Sequence, residues 1–268
     1  MAKIDTHVAG AWNADSIQLR LVLPAAGIIA LFSIWALIAN AGVVPAHFLP
    51  GPGTVLEEMI RLMNEPYAGS LLQEHLLASL QKFGSAFALG AGLGVPLGLI
   101  MGRFKIADRL INPIFEGLRF VPPIAWVPFS ILWFGTGFMA PVLVIFTGVF
   151  SSCVVNSYAG VRQTDRSLIE AAQMLGISKL RTMTDVLLPA ALPQIIAGLR
   201  IGAGFGWQSL IGAELIVGST GLGYMIIQGE SNLTAKVVMA GMIVIGIIGA
   251  CIDVVMRAVE RRARNRWA

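Results

Sequence analysis

From Phe120 to Val161 the chain carries no charged side chain over 42 consecutive residues. A helix crosses the hydrocarbon core of a bilayer with about 20 apolar residues. This run is too long for one crossing and fits two, divided at Gly135-Thr136-Gly137. A water-soluble fold would have to expose much of such surplus. The rest of the chain agrees: 56% of its residues are hydrophobic, only 13% are charged, and the mean hydropathy is +0.76. An average soluble domain carries about 25% charged residues.

The same reading along the chain predicts an all-α membrane protein with six spans, at 21–42, 83–102, 110–134, 138–161, 195–217 and 237–256. All belong to one transmembrane domain covering 1–268, with 1–20 as a tail. Ala39-Asn40-Ala41 resembles a signal-peptidase site, but the apolar stretch before it exceeds the roughly 7–15 residues of a signal core. An uncleaved first span is expected. Pro122, Pro123 and Pro128 are expected to kink the third span. Gly90, Gly94 and Gly98, and again Gly198, Gly202 and Gly206, recur every fourth residue, which suits close helix packing.

Lys and Arg gather on cytoplasmic segments. With the N-terminus inside, 14 basic residues fall on inner segments, among them Lys3, Arg103, Arg162, Lys179 and Arg261. Only Arg61, Lys82 and Lys236 fall outside, with Arg119 and Arg200 set aside as intramembrane or marginal. Both termini are therefore expected in the cytoplasm of a multi-pass inner (plasma) membrane protein. The basic pI of about 9.4 reflects this orientation signal, and no nucleic-acid partner is expected. In the outer segment, Pro50-Gly51-Pro52-Gly53-Thr54 predicts a turn and a short surface helix capped by Thr54, with Val55, Met59 and Leu62 on one face.

The longest inner segment, 162–194, predicts two short amphipathic helices. Leu168, Ala171, Ala172 and Leu175 share one face of the first, capped by Thr164 or Asp165 and closed by Gly176. The second runs from Ser178 to just before Pro189, with Leu180, Met183 and Leu187 aligned. Two helices with a fixed corner make a knob with an apolar face to cover.

Glu170-Ala171-Ala172, Gly176 and Leu188-Pro189, at this separation and between two spans, resemble the "EAA" loop of ABC importer permeases. Arg119-Phe120-Val121-Pro122-Pro123 with Trp133-Phe134-Gly135 is similar to the third span of the taurine, sulfonate and nitrate permeases. Gly198-Leu199-Arg200, Gly206-Trp207, Ala213-Glu214-Leu215 and Gly221-Leu222-Gly223-Tyr224 extend the likeness. The resemblance implies a type I ABC importer permease fold, with Glu170, Ala171, Ala172, Gly176, Leu188 and Pro189 coupling to an ATPase subunit. It also implies a second permease copy, most simply as a homodimer, two copies of the ATPase and an extracytoplasmic solute-binding protein. The expected solute is taurine or another alkyl sulfonate. Val217-Gly218-Ser219-Thr220-Gly221 and Asn232-Leu233 look more like nitrate or bicarbonate permeases.

No Gly-Lys pair exists in the chain, so the phosphate-binding Gly-x-x-x-x-Gly-Lys loop is absent. The chain itself is not expected to be an enzyme or to hold a cofactor; ATP and Mg would sit on the partner ATPase. Cys153 and Cys251 lie in apolar runs, and the three His are scattered, so no metal site is expected. Ionisable and polar groups at membrane depth are functional candidates by default. Glu116, Arg119, Trp207, Gln208, Ser209 and Glu214 are thus candidates for the translocation pathway. Glu116 with Arg119, and Glu214 with some partner, could equally be structural pairs. The competing class is an ion channel or secondary transporter, which would need no inner knob.

Overall fold

The computed structural model describes residues 15–45, 47–178 and 181–267, with side chains from residue 22 onward apart from 166 and 264–267. Lys3, Lys179, Leu180 and most of the expected tail lie outside the described residues. Ten helices are described: α1 Asp15–Asn40, α2 Pro52–Asn64, α3 Leu72–Arg103, α4 Lys105–Arg119, α5 Val127–Phe134, α6 Met139–Gln163, α7 Arg166–Met174, α8 Leu188–Val217, α9 Leu222–Ser231 and α10 Ala235–Trp267. No strand occurs among the described residues. Five helices are long and apolar enough to cross a membrane, and α4 with the segment Pro123–Phe134 makes a sixth, broken span.

The middle of the fold is α6, held between α3 and α8 by the two glycine rows. A methyl group at Gly98 would lie 2.5 Å from the Val154 carbonyl oxygen, and one at Gly94 would lie 2.9 Å from Cys153 Cβ. On the other side, a methyl at Gly198 would lie 2.5 Å from Asn156 Cβ. Bare backbone on both neighbours lets α6 approach closely where burial of apolar surface gains nothing over lipid. Ile145, Val149 and Cys153 are fully buried there. By contrast most described side chains of α1 are exposed, with Leu23, Ile29 and Leu37 more than half exposed. Its one described side-chain bond to the body is Trp35 Nε1 donating to the Pro50 carbonyl at 3.1 Å.

Several boundaries differ from expectation. Helix α3 begins at Leu72, not 83, because one face of the stretch before Phe83 points inward: Leu72, His75, Ser79 and Lys82 are all buried on the face that continues into Ala86 and Gly90. Hydropathy alone ends the span where these begin. The inner turn between α3 and α4 is the single residue Phe104, so the third span starts at Lys105 rather than 110. That span is not merely kinked. It breaks after Arg119 and turns by 93° into a 3-10 turn at Pro123–Trp126 and then α5. Pro122 and Pro123 lack the N–H groups that would carry the helix on. Gly135, at φ 69°, then ends α5 before α6 begins. The outer helix α2 starts at Pro52 with Gly51 as its cap, rather than at Thr54, since proline is favoured in a first turn. Its face of Val55, Met59 and Leu62 packs inward.

The second helix of the inner segment is not separate. From Thr182 a π-helical turn runs to Leu187 and passes straight into α8 through Pro189. The Leu188 N–H reaches back five residues to the Met183 carbonyl. Pro189 sits at the join of the π turn and the regular α-helix, as the second residue of the α segment. The helix that carries the fifth span thus runs continuously from Thr182 to Val217 instead of starting at 195.

Candidate functional site

Two regions of this fold are candidates for function: the knob between the fourth and fifth spans and a cavity at the break of the third span. The knob is α7. The Asp165 carboxylate accepts from the Ser167 N–H at 3.0 Å and caps its start. At its end Gly176 adopts φ 69°. The Gly176 N–H donates to the Gln173 carbonyl and the Ile177 N–H to the Ala172 carbonyl, both at 3.0 Å. This is the Schellman pattern that only glycine adopts at low cost. Ala172 is buried, and Ile169, Met183 and Leu187 pack against Leu99, Val161 and Ile195. That contact ties the knob to the inner ends of α3, α6 and α8. Of the face drawn from periodicity, only Ala172 turns inward. Leu168, Ala171 and Leu175 face outward, together with Glu170 and Met174, whose side chains the fold leaves open. Met174 is 88% exposed and Leu175 78%. Leu188 and Pro189 lie a π turn away, at the root of α8.

The cavity lies between the third-span break, α6 and α8, with a volume of 290 Å³. Arg119, Phe120, Thr147, Ser151, Asn156 and Phe205 are among the residues that line it. Its volume is at the low end of the ~300–1,000 Å³ typical of ligand pockets. A broken helix at membrane depth is tolerated where it lines such a space. Ser151 is the central residue of α6 and Ile201, also on the wall, lies next to the centre of α8. The cavity is therefore at mid-height of both spans. Arg119 Nε donates to Glu116 Oε2 at 2.8 Å, and its guanidinium lies 4.9 Å from the Phe120 ring centroid.

The other expected pathway residues fall elsewhere. Trp207 is buried in the core, edge-on to Phe83, and its Nε1 donates to the Ile245 carbonyl at 3.2 Å. Its placement is decided by the indole, which needs an acceptor when buried. Gln208 lines a separate 490 Å³ groove between α8 and α10 with Arg200, Asp253 and Glu260. Arg200 bridges Asp253 at 3.0 Å and Glu260 at 3.1 Å. The Ser209 hydroxyl donates to the Phe205 carbonyl at 2.7 Å within its own helix.

Glu214 has no exposed surface and touches neither cavity. Its carboxylate accepts from Lys82 Nζ at 2.9 Å, from Ser79 Oγ at 2.8 Å and from the Gly223 N–H at 3.0 Å. Lys82 also donates to the Thr220 carbonyl. The Leu222 N–H donates to Ser79 Oγ at 2.9 Å, and the Gly221 N–H to His75 Nδ1 at 3.2 Å. With Nδ1 accepting, Nε2 carries the proton and donates to the Tyr67 carbonyl at 2.9 Å. This network fastens the outer turn 218–222 and the start of α9 to α3. Lys82, counted above with the outer basic residues, is thus a buried member of the fold. Sequence reasoning missed the α6 wall altogether, because Thr147, Ser151 and Asn156 stand in an apolar run without a charge to mark them.

The family model for the inner membrane component of binding-protein-dependent transport systems matches residues 94–265. The chain belongs to this family. It is the permease component of an ABC importer. The taurine transport system permease protein TauC of Escherichia coli (strain K12) is 36% identical over 233 residues, covering 87% of this chain and 85% of that protein. The putative aliphatic sulfonates transport permease protein SsuC of Bacillus subtilis (strain 168) is 36% identical over 242 residues, covering 90% and 85%. Among solved structures, an inward-facing conformation of the MetNI methionine ABC transporter superposes with a TM-score of 0.66 at 20% identity. It covers 77% of this chain and 98% of that one, and shows the type I permease fold.

Proposed function

We propose that this permease carries taurine or another small alkyl sulfonate across the inner membrane, driven by a separate ATPase that docks on α7. The observation that carries the reading is the knob itself. Helix α7 is capped at both ends, anchored through Ala172 and Ile169, and still leaves Leu168, Met174 and Leu175 open to solvent. A rigid apolar ridge of this kind fits a groove on a partner. The chain has no phosphate-binding loop of its own, so ATP and Mg belong to that partner. The charge asymmetry supports a cytoplasmic position for α7 and both termini.

In the proposed cycle a binding protein delivers solute to the outer loops of two permease copies. ATP closes two ATPase subunits, which move α7 and the root of α8 at Leu188 and Pro189. Hydrolysis resets the pathway inward. The solute assignment rests on the taurine and sulfonate relatives.

The test exchanges Gly176 for Val. Its φ of 69° disfavours a β-branched side chain, so the corner should open. Expected are loss of co-purification with the ATPase and loss of solute-stimulated hydrolysis. Unchanged assembly and hydrolysis would sink the docking assignment. ATP-driven uptake by the reconstituted complex, measured with taurine, ethanesulfonate, nitrate and bicarbonate in parallel, decides the solute.

A further inference from the structure

The cavity beside the third-span break has two kinds of wall, and they are chemically opposite. On α6 the hydroxyl hydrogens are already committed to the helix backbone. Thr147 Oγ1 donates to the Val144 carbonyl at 2.8 Å, Ser151 Oγ to the Thr147 carbonyl at 2.8 Å, and Ser152 Oγ to the Gly148 carbonyl at 3.0 Å. Asn156 Nδ2 donates to the Ser152 carbonyl at 2.8 Å. Apart from the second Nδ2–H of Asn156, what this wall offers a solute is oxygen lone pairs. From Thr147 to Asn156 the row is about 13 Å long at the rise of an α-helix.

Arg119 offers the reverse. A guanidinium has five N–H donors and no acceptor. Only Nε is engaged, by Glu116, and the two terminal nitrogens have no hydrogen-bond partner among the described residues. The pair is partly exposed, so it holds Arg119 only weakly. Its formal charges cancel. A bare anion would meet a cation already balanced by Glu116 and a wall of lone pairs that repels it. A molecule bearing both an acid group and an ammonium group meets a complement for each.

We infer that this cavity is a solute subsite selecting a small aminoalkyl sulfonate zwitterion over a plain anion. The sulfonate sits on the terminal nitrogens of Arg119 and the ammonium on the oxygens of Thr147, Ser151, Ser152 and Asn156. The inference rests on the importer reading above and deepens it from solute family to charge type. The subsite lies at mid-height of α6 and α8, where a solute must pass whichever side is open.

The experiment uses the permease–ATPase complex in nanodiscs, without the binding protein, so that selectivity at the subsite is read by itself. Ser151→Cys is introduced in a Cys251→Ser background, because Cys251 is exposed and Cys153 is buried. A small neutral thiol reagent reports access, and taurine, ethanesulfonate and ethylammonium are compared as protectants. Taurine should slow labelling at concentrations about tenfold below either single-charge analogue, the size of one charge-assisted hydrogen bond. Arg119→Gln should raise the protecting taurine concentration by about the same factor. Glu116→Gln, which leaves Arg119 unbalanced, should shift preference toward ethanesulfonate.

Equal protection by taurine and ethanesulfonate overturns the subsite, as does absence of protection by any of the three or of labelling itself. The first comparison needs no change at Arg119, so a poorly assembled Arg119 variant does not blunt it. ATP-driven taurine uptake by the full complex, run alongside, separates the two levels. Uptake without selective protection removes the subsite alone, and absence of uptake removes the importer reading with it.

Discussion

Lys82 Nζ lies 2.9 Å from Glu214 Oε1, joining α3 to α8 with 3% of the lysine side chain and none of the glutamate exposed. A buried pair of this kind is costly to form and more costly to break, because the surviving charge has no water to return to. Here the remaining valences are filled by Ser79, Gly223 and the Thr220 carbonyl. Lys82→Met alone should destabilise the protein by about 3–5 kcal/mol. Lys82→Met with Glu214→Leu should recover much of that loss. Thermal unfolding of the purified permease in detergent measures both. A double variant no more stable than the single one would show that the pair is not the source of the loss.

Gly221 makes a second prediction at the same place. Its φ of 120° is a conformation that side chains avoid, and a methyl group there would run into the Glu214 carboxylate. Gly221→Ala should therefore disturb the outer turn 218–222 while the inner knob stays folded. Limited proteolysis from the outer side should speed up, and ATPase co-purification should persist. Loss of ATPase binding with an intact outer turn would contradict this.

The glycine row on α8 is not uniform. A methyl at Gly198 would press on Asn156 Cβ at 2.5 Å, whereas one at Gly202 would rest at 3.4 Å from the Val149 carbonyl oxygen, an ordinary contact. Gly198→Ala should cost about 1–3 kcal/mol by overpacking. Gly202→Ala should be close to neutral. Paired melting curves decide this, and the reverse order would mean that α6 and α8 meet in another register.

Outside the membrane, Glu58 on α2 is bonded to Arg61, through Nε at 3.1 Å and through Nη2, and to Lys236 at 2.9 Å. The Arg61 bond holds its carboxyl below the ordinary value of 4.5 despite burial, with Lys236 adding to the effect. A carboxyl whose pKa falls on folding stabilises the fold above its unfolded value and loses that contribution as the pH drops through the folded one. The stability gap between wild type and Glu58→Gln should thus be widest near neutral pH and close on acidification below 4.5. A gap independent of pH would remove this ionic tie between α2 and α10.

Much of the architecture was legible in the chain. The 42-residue charge-free run, split at Gly135, yields the broken third span and α6 because no single crossing absorbs so many apolar residues. The Asp165 cap and the Gly176 corner of α7 were readable because both are local: each bond spans five residues or fewer. The start of α8 was not readable, since Pro189 signals a stop unless a π turn precedes it.

The amino-acid sequence by itself determined the class of the protein, the number of its apolar segments and the capped helix of its knob, since these follow from hydropathy and local capping. Tertiary structure alone decided the roles of the polar residues. Glu214 became a buried tie and Arg119 a cavity wall. The physical reason is distance along the chain. The side-chain partners of Glu214 lie 132 and 135 residues away, and a lysine at the edge of an apolar run looks like a membrane boundary until its carboxylate is found. The α6 hydroxyls carry no charge to mark them, and they gain chemical meaning only where the break after Arg119 opens a space beside them.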